Sequence, residues 1–175
     1  MNEEKLIKEF KKGNKEALKF IYEKYKRSLL KLIWYYVNNK EDAEDILQTV
    51  FYKVIKNIEK FSLKKGASFK TWVFRIAINS CKDFLKKKRS ISLNDIEITA
   101  VSNIEKVEDK ILIEKILNAL NKIDLKYREV IMMIYLENMK YEEVADILNK
   151  PVGTIKSRLN YGINLLKNIL GEKNE

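Results

Sequence analysis

The sequence predicts an all-α fold: two small helical domains joined by a flexible linker, the second containing a helix-turn-helix. Three observations carry this expectation. Among 175 residues there are only five glycines and one proline, little of the punctuation that many short strands require. Apolar side chains recur at three- and four-residue spacing over long stretches, the signature of amphipathic helices. That periodicity lapses between Ser90 and Asn103. The chain is 46% hydrophobic and 34% charged, a balance that suits a globular protein rather than a disordered one. Its length suits one ordinary domain or two small ones.

The first long helix is expected over Lys15–Val37, with Leu18, Ile21, Tyr22, Tyr25, Leu29, Leu32, Ile33 and Tyr36 on one stripe and Asn14 as N-cap. Asn38-Asn39 breaks it. Asn39 caps a second helix to about Lys60, where Asp42 and Glu44 in the first turn suit the dipole. Its core stripe is Leu47, Val50, Phe51, Val54, Ile55 and Ile58. Ser62–Ala67 reads as a loop, and Ser68 caps a third helix to about Lys88. Phe69, Trp72, Val73, Ile76, Ala77, Ser80 and Phe84 are its expected buried stripe, and Lys86-Lys87-Lys88-Arg89 closes it.

Ser90–Asn103 holds Asp95 and Glu97 and no basic residue, and reads as an interdomain linker between units 1–89 and 104–175. Helices resume over Ile104–Leu120 and again after Asp124 to about Glu137, where Asn138 suits a left-handed cap. A short helix, Tyr141–Leu148, is followed by Asn149-Lys150-Pro151-Val152 and a longer helix from about Gly153 to Leu170. Proline is tolerated in a first helical turn. This short helix, tight turn and second helix, with Thr154, Lys156, Ser157 and Arg158 expected to be exposed, form a helix-turn-helix pattern.

Composition excludes several classes of function. With no histidine and one cysteine, Cys81, the usual zinc sites and Cys–His or Ser–His machinery lack their residues. No enzymatic activity, cofactor or metal is expected. A lone thiol fits a reducing cytoplasm. The N-terminus has no apolar signal region, and the run Val130–Leu136 is too short to span a bilayer, so no integral membrane association is expected. Charge is uneven. Residues 1–60 carry 14 basic and 10 acidic side chains, residues 61–100 carry nine and three, and residues 101–175 carry 12 of each. A local cation surplus points to a polyanion partner or to a solvated lysine-rich face.

Three segments resemble the extracytoplasmic-function (group IV) sigma factors of the sigma-70 family, in the expected order and spacing. Asp42-Ala43-Glu44-Asp45-Ile46-Leu47-Gln48-Thr49-Val50-Phe51 is similar to the helix that binds core RNA polymerase. Ser68-Phe69-Lys70-Thr71-Trp72-Val73-Phe74-Arg75-Ile76-Ala77-Ile78-Asn79 is similar to the helix that reads the promoter −10 element. Tyr141-Glu142-Glu143-Val144-Ala145, with Pro151-Val152-Gly153-Thr154-Ile155-Lys156-Ser157-Arg158-Leu159, is similar to the −35 reading helix-turn-helix.

The resemblance implies that Asp42, Glu44, Asp45 and Gln48 bind core polymerase. It implies −10 contacts from Lys64, Lys65, Trp72, Arg75, Asn79, Lys82, Lys86, Lys87, Lys88 and Arg89, with Asn79 on a flipped base and the cations on phosphates. Trp72, like Phe69, is also expected to pack in the core. The −35 contacts implied are Arg128, Thr154, Lys156, Ser157, Arg158, Asn160 and Tyr161. Core polymerase, promoter DNA and an anti-sigma factor are the implied partners. Asn160-Tyr161 departs from the usual aromatic or histidine followed by arginine, and Gly162 replaces the usual alanine. In a helix interior that glycine is expected to cost about 1 kcal/mol. Two alternatives stand beside this reading: a dimeric helix-turn-helix regulator of duplex operators, and a basic amphipathic protein on anionic membrane.

Overall fold

The computed structural model describes residues 3–62, 68–91 and 115–171. All regular structure among the described residues is helical, and the chain divides into two compact units, Met1–Ile96 and Glu97–Glu175.

The first unit opens with α1 (Glu3–Lys11), a helix the sequence reading passed over. Ile7 and Phe10 bury its apolar face, and its single apolar turn is too brief to register as a long periodic stripe. Gly13 reverses the chain at φ 84°, a conformation that costs glycine little. Asn14 then caps α2 (Lys15–Val37), its side chain accepting from the Glu16 and Ala17 amides. Two contacts fasten α1 down. Lys11 donates to the Phe61 carbonyl (2.6 Å), and Glu3 takes Lys24 (2.6 Å) and the Tyr25 hydroxyl. Partial burial pushes the Glu3 carboxyl up, but the bonds from Lys24 and Tyr25 outweigh it and hold it below its ordinary range.

Asn38 ends α2 in the left-handed conformation, and Asn39 caps α3 (Lys40–Asn57) by accepting from the Asp42 amide. The expected single helix to Lys60 is in fact two pieces, with a 3-10 turn over Ile58–Lys60. Asn57 makes the break: its backbone leaves the helical region, and its amide turns back to donate to the Lys53 carbonyl (2.8 Å). Ile55, expected in the core, is 45% exposed. It lies along the outward line of Gln48 and Tyr52, which are exposed with it.

Ser68 accepts from the Thr71 amide (3.1 Å) at the start of α4, which runs over Phe69–Ile91, past the expected end at Lys88. Its buried arc is rotated from the expected stripe. Phe69, Val73 and Ala77 are sealed as expected, but Phe74, Ile78 and Cys81 complete the core while Trp72, Ile76 and Phe84 are only half-buried. The physical reason is that α4 packs on both α2 and α3. The buried arc is centred between those two neighbours.

In the second unit, residues 115–121 are helical (α5), and the remainder of the helix expected from Ile104 lies outside the described residues. The Asp124 side chain accepts from the Lys126 amide and caps α6 (Leu125–Ile131). The single helix expected to Glu137 instead loosens into a π-helical turn, Met132–Leu136, before Asn138 adopts the left-handed conformation at φ 48°. Helix α7 (Tyr141–Leu148) starts behind Lys140, which offers no capping oxygen; Glu143 compensates by accepting from the Lys140 amide (2.9 Å). Asn149 (φ 51°) and Pro151 make the turn into α8 (Val152–Leu170), with Pro151 at the N-cap rather than inside the first turn.

Gly162 has a tertiary reason. A Cβ built there would lie 2.9 Å from Ile131 Cδ1 and 3.1 Å from Tyr127 Cβ. The bare backbone therefore permits the close approach of α8 to α6, which offsets its poor helix propensity.

Replacing Gly162 with alanine should weaken the second unit. Overpacking of about 1–3 kcal/mol set against a propensity gain of about 1 kcal/mol leaves a net cost of up to about 2 kcal/mol. The net effect of about 1 kcal/mol should cut hydrogen-exchange protection of the α8 amides about fivefold; unchanged or higher protection would contradict the packing. Burial pushes the Cys81 thiol up to about 12. Iodoacetamide labelling should accordingly be slow in the native protein and should accelerate with unfolding of the first unit in urea. Labelling at the rate of a free thiol peptide would show the site to be open.

Candidate nucleic-acid interface

The unburied side of α4 is one line of side chains. Trp72, Asn79 and Lys86 are seven residues apart, so they share a face. Asn79 and Lys86 are exposed and Trp72 is half-buried. Arg75 and Lys82 border the same face, half-buried and exposed respectively. The Trp72 ring lies against Phe61 (5.0 Å between centroids) and Phe69 (5.5 Å), which fixes its plane. Trp72 thus has the core contact expected of it and keeps an open side. Lys64, Lys65 and the side chain of Arg89 lie outside the described residues.

The basic run does not act as a block. Lys86 and Lys87 are exposed, whereas Lys88 lies on the opposite side of α4 from Asn79. Its ammonium donates to Asp42 (2.9 Å) and sits 5.7 Å from the centre of the Phe84 ring. This pair separates Asp42 from the residues it was expected to act with. Glu44, Asp45 and Gln48 are exposed on the far flank of α3, while Asp42 is half-buried beside α4. Their flank continues through Tyr52 (64% exposed) and Ile55, neither of which is among the expected polymerase contacts.

Between α3 and α4 lies a cleft of about 310 Å³ lined by Lys53, Asn57, Lys60, Trp72, Ile76 and Asn79. Lys53 braces it, donating to Ser80 Oγ (2.9 Å) with Asp83 3.7 Å away. The spacing 53, 57, 60 is itself helical and was the available signal. It was obscured because those positions flank the apolar stripe.

On α8, Lys156, Ser157, Asn160 and Tyr161 are exposed and Thr154 is half-buried. The Ser157 hydroxyl donates to the Thr154 carbonyl (3.0 Å), and the Lys156 ammonium lies 5.5 Å from the Tyr141 ring centre. Arg158 is half-buried and pairs with the buried Glu129 (3.5 Å). Arg128 turns toward α5, donating to Asn121 Oδ1 (3.1 Å). Tyr161 stacks in a tilted pair on Tyr127 (4.7 Å). A second shallow cleft, about 430 Å³, is lined by Lys126, Tyr127, Ser157, Arg158 and Tyr161. Among the described residues no cluster of three or more His, Cys, Asp or Glu could hold a metal, and no helix is long and apolar enough to cross a membrane.

Comparison with known proteins agrees with this layout. Residues 21–91 match Sigma-70 region 2, and residues 113–162 match Sigma-70, region 4. The chain is 32% identical over 177 residues to the ECF RNA polymerase sigma factor SigW of Bacillus subtilis (strain 168), covering 93% of this chain and 94% of that protein. It is 26% identical to the ECF RNA polymerase sigma-E factor of Escherichia coli (strain K12), with 91% and 89% covered. Two solved structures share the fold. CnrH in complex with the cytosolic domain of CnrY has a TM-score of 0.73 at 19% identity, with 97% of each chain covered. The sigma factor RpoE of Bartonella quintana, in complex with the anti-sigma factor NepR, has a TM-score of 0.72 at 22% identity, with 89% and 98% covered. A dimeric operator-binding regulator would account for the region 4 match alone and is not supported. With both regions matched in order and a relative similar along nearly its whole length, the chain belongs to the extracytoplasmic-function group of sigma-70 RNA polymerase sigma factors.

Proposed function

We propose that residues 1–89 bind core polymerase and the −10 element, that 90–103 form the linker, and that 104–175 bind the −35 element. As a sigma factor the protein directs core polymerase to promoters and assists −10 melting. It does so by binding alone, in the cytoplasm, with no chemistry of its own. Core polymerase docks on the α3 flank of Glu44, Asp45 and Gln48, extended by Tyr52 and Ile55, with Asp42 at its edge. Asn79 meets an unpaired base; its amide can pair with a base edge. Arg75, Lys82, Lys86 and Lys87 serve phosphates, with Lys64, Lys65, Lys88 and Arg89 as further candidates. Capture of an unstacked base offsets part of the cost of unpairing it.

In the −35 unit, Lys156 and Asn160 are the exposed candidates for base edges, with Thr154, Ser157 and Tyr161 beside them. Arg158 and Arg128, each tied to a protein partner, set the pose of α8 and α6. Two structural relatives were solved with the CnrY cytosolic domain and with the anti-sigma factor NepR. An anti-sigma factor is accordingly the proposed inhibitory partner.

One observation carries this reading: the acidic flank of α3 and the Asn79 face of α4 are separate surfaces of one unit, so polymerase and DNA can be held together. Asp45→Lys should abolish co-purification with core polymerase while leaving helix content intact; recovery at wild-type yield would remove α3 from the contact.

Lys86→Ala should weaken holoenzyme binding equally on all promoters and lower the slope of log affinity against log salt by about 0.7–0.9. Asn79→Ala should leave that slope unchanged and cost about 1–3 kcal/mol on promoters carrying the preferred base. Binding to matched and −10-substituted promoters across a salt series separates the two. Equal losses on both promoters for Asn79→Ala would overturn the division of roles.

A further inference from the structure

We infer that α1 is a positioning element for the DNA-facing side of α4, and that Lys11 and Glu3, at its two ends, set the pose of the Trp72 ring. This role rests on the −10 reading above and extends it to a helix that precedes residues 21–91, the segment matched to Sigma-70 region 2.

The Trp72 ring is placed by other rings. Phe61 lies 5.0 Å from it and Phe69 5.5 Å, and those two meet edge-on at 5.2 Å. Such tilted and edge-on pairs fix relative orientation as well as burying surface. Whatever holds Phe61 and Phe69 therefore holds Trp72.

Both are reached from α1. Phe61 follows the 3-10 turn, where its backbone has become extended. Carbonyls at such an end have no partner within the helix. Lys11 supplies the donor from 50 residues earlier, at 2.6 Å from the Phe61 carbonyl and 3.4 Å from that of Glu59. A charged donor makes this a strong tether. At the other end of α1, Glu3 accepts from the Tyr25 hydroxyl and from Lys24 (2.6 Å). The Tyr25 ring packs 5.8 Å from Phe69, which is sealed from solvent. Burial and the Glu3 carboxylate push the Tyr25 hydroxyl up, so it stays a donor.

Two polar tethers thus converge on one ring, Lys11 through Phe61 and Glu3 through Tyr25 and Phe69. Anchoring α1 to the core does not require them, because Ile7 and Phe10 already bury its apolar face. Trp72 is half-buried and borders the same cleft as Asn79. Tilting its ring changes the surface that the −10 strand meets.

The test pairs fluorescence of the full chain with promoter binding by holoenzyme. Trp34→Phe leaves Trp72 as the only tryptophan of the chain. In that background Lys11→Met should move the emission to the red and raise acrylamide quenching, Lys11→Arg should restore both, and Glu3→Ala should act like Lys11→Met. In holoenzyme, Lys11→Met should weaken promoter binding about fivefold, the equivalent of one hydrogen bond. The slope of log affinity against log salt should stay unchanged, because Lys11 meets no phosphate. In a Trp72→Leu background Lys11→Met should cost nothing further. A lowered salt slope would make Lys11 a DNA contact, and additive losses would mean that it acts elsewhere; either overturns the positioning role. Asn79→Ala and Trp72→Leu are the reference arms. If they weaken binding while Lys11→Met and Glu3→Ala leave binding and emission unchanged, the role of α1 falls and the −10 reading stands. If neither reference variant weakens binding, the −10 reading falls and the inference falls with it.

Discussion

Val50 and Val54 of α3 and Val73, Ala77 and Cys81 of α4 are sealed from solvent where these two long helices pack side by side. The rest of the first unit depends on this contact. Small and β-branched side chains let the helices approach, and the deep burial of Cys81 makes its thiol inert. Because α2 covers the remaining apolar side, each helix has only a limited arc buried. Every polar group on the other arcs is displayed at a register set by the core. The Asn79 line of α4 and the two flanks of α3 follow directly from that packing.

Two ion pairs cross the same seam with different consequences. Lys53 joins α3 to Ser80 and Asp83 beside the open cleft, whereas Lys88 reaches Asp42 at the other end. Both are at least partly solvated, and such pairs contribute about 0–1 kcal/mol. Their importance is orientation. Lys53 ties α3 to α4 beside the cleft, and Asp42 engages Lys88, the cation of the basic run that helix register already places away from the Asn79 face.

The second unit solves a related problem. Helix α8 must lie close to α6 while presenting polar residues outward. Gly162 makes the approach possible by omitting a side chain opposite Tyr127 and Ile131. The buried Glu129 is matched by Arg158 from α8; a buried carboxylate without such a partner would be costly. The pair also spends much of Arg158 on the protein. Lys156 and Asn160 stay exposed on this face, whereas Arg158, which the sequence groups with them, is half-buried against Glu129.

Much of the architecture was legible in the sequence because it is encoded locally. Caps at Asn14, Asn39 and Ser68 and the left-handed Asn138 need only their own neighbours, as do the long apolar stripes. The three ordered motifs were enough for the family. What the sequence could not determine is how far around each helix burial extends, because that depends on the helices packed against it. Ile55 has the spacing of a core residue and is exposed, while Phe74 and Cys81 fall off the expected stripe and are sealed. Gly162 reads as a defect until Tyr127 and Ile131 are placed beside it. Asp42 reads with Glu44 and Asp45 until Lys88 claims it. Tertiary packing alone decided which polar residues share a face, and so brought Lys53, Asn57 and Lys60 to Trp72 and Asn79 across two helices.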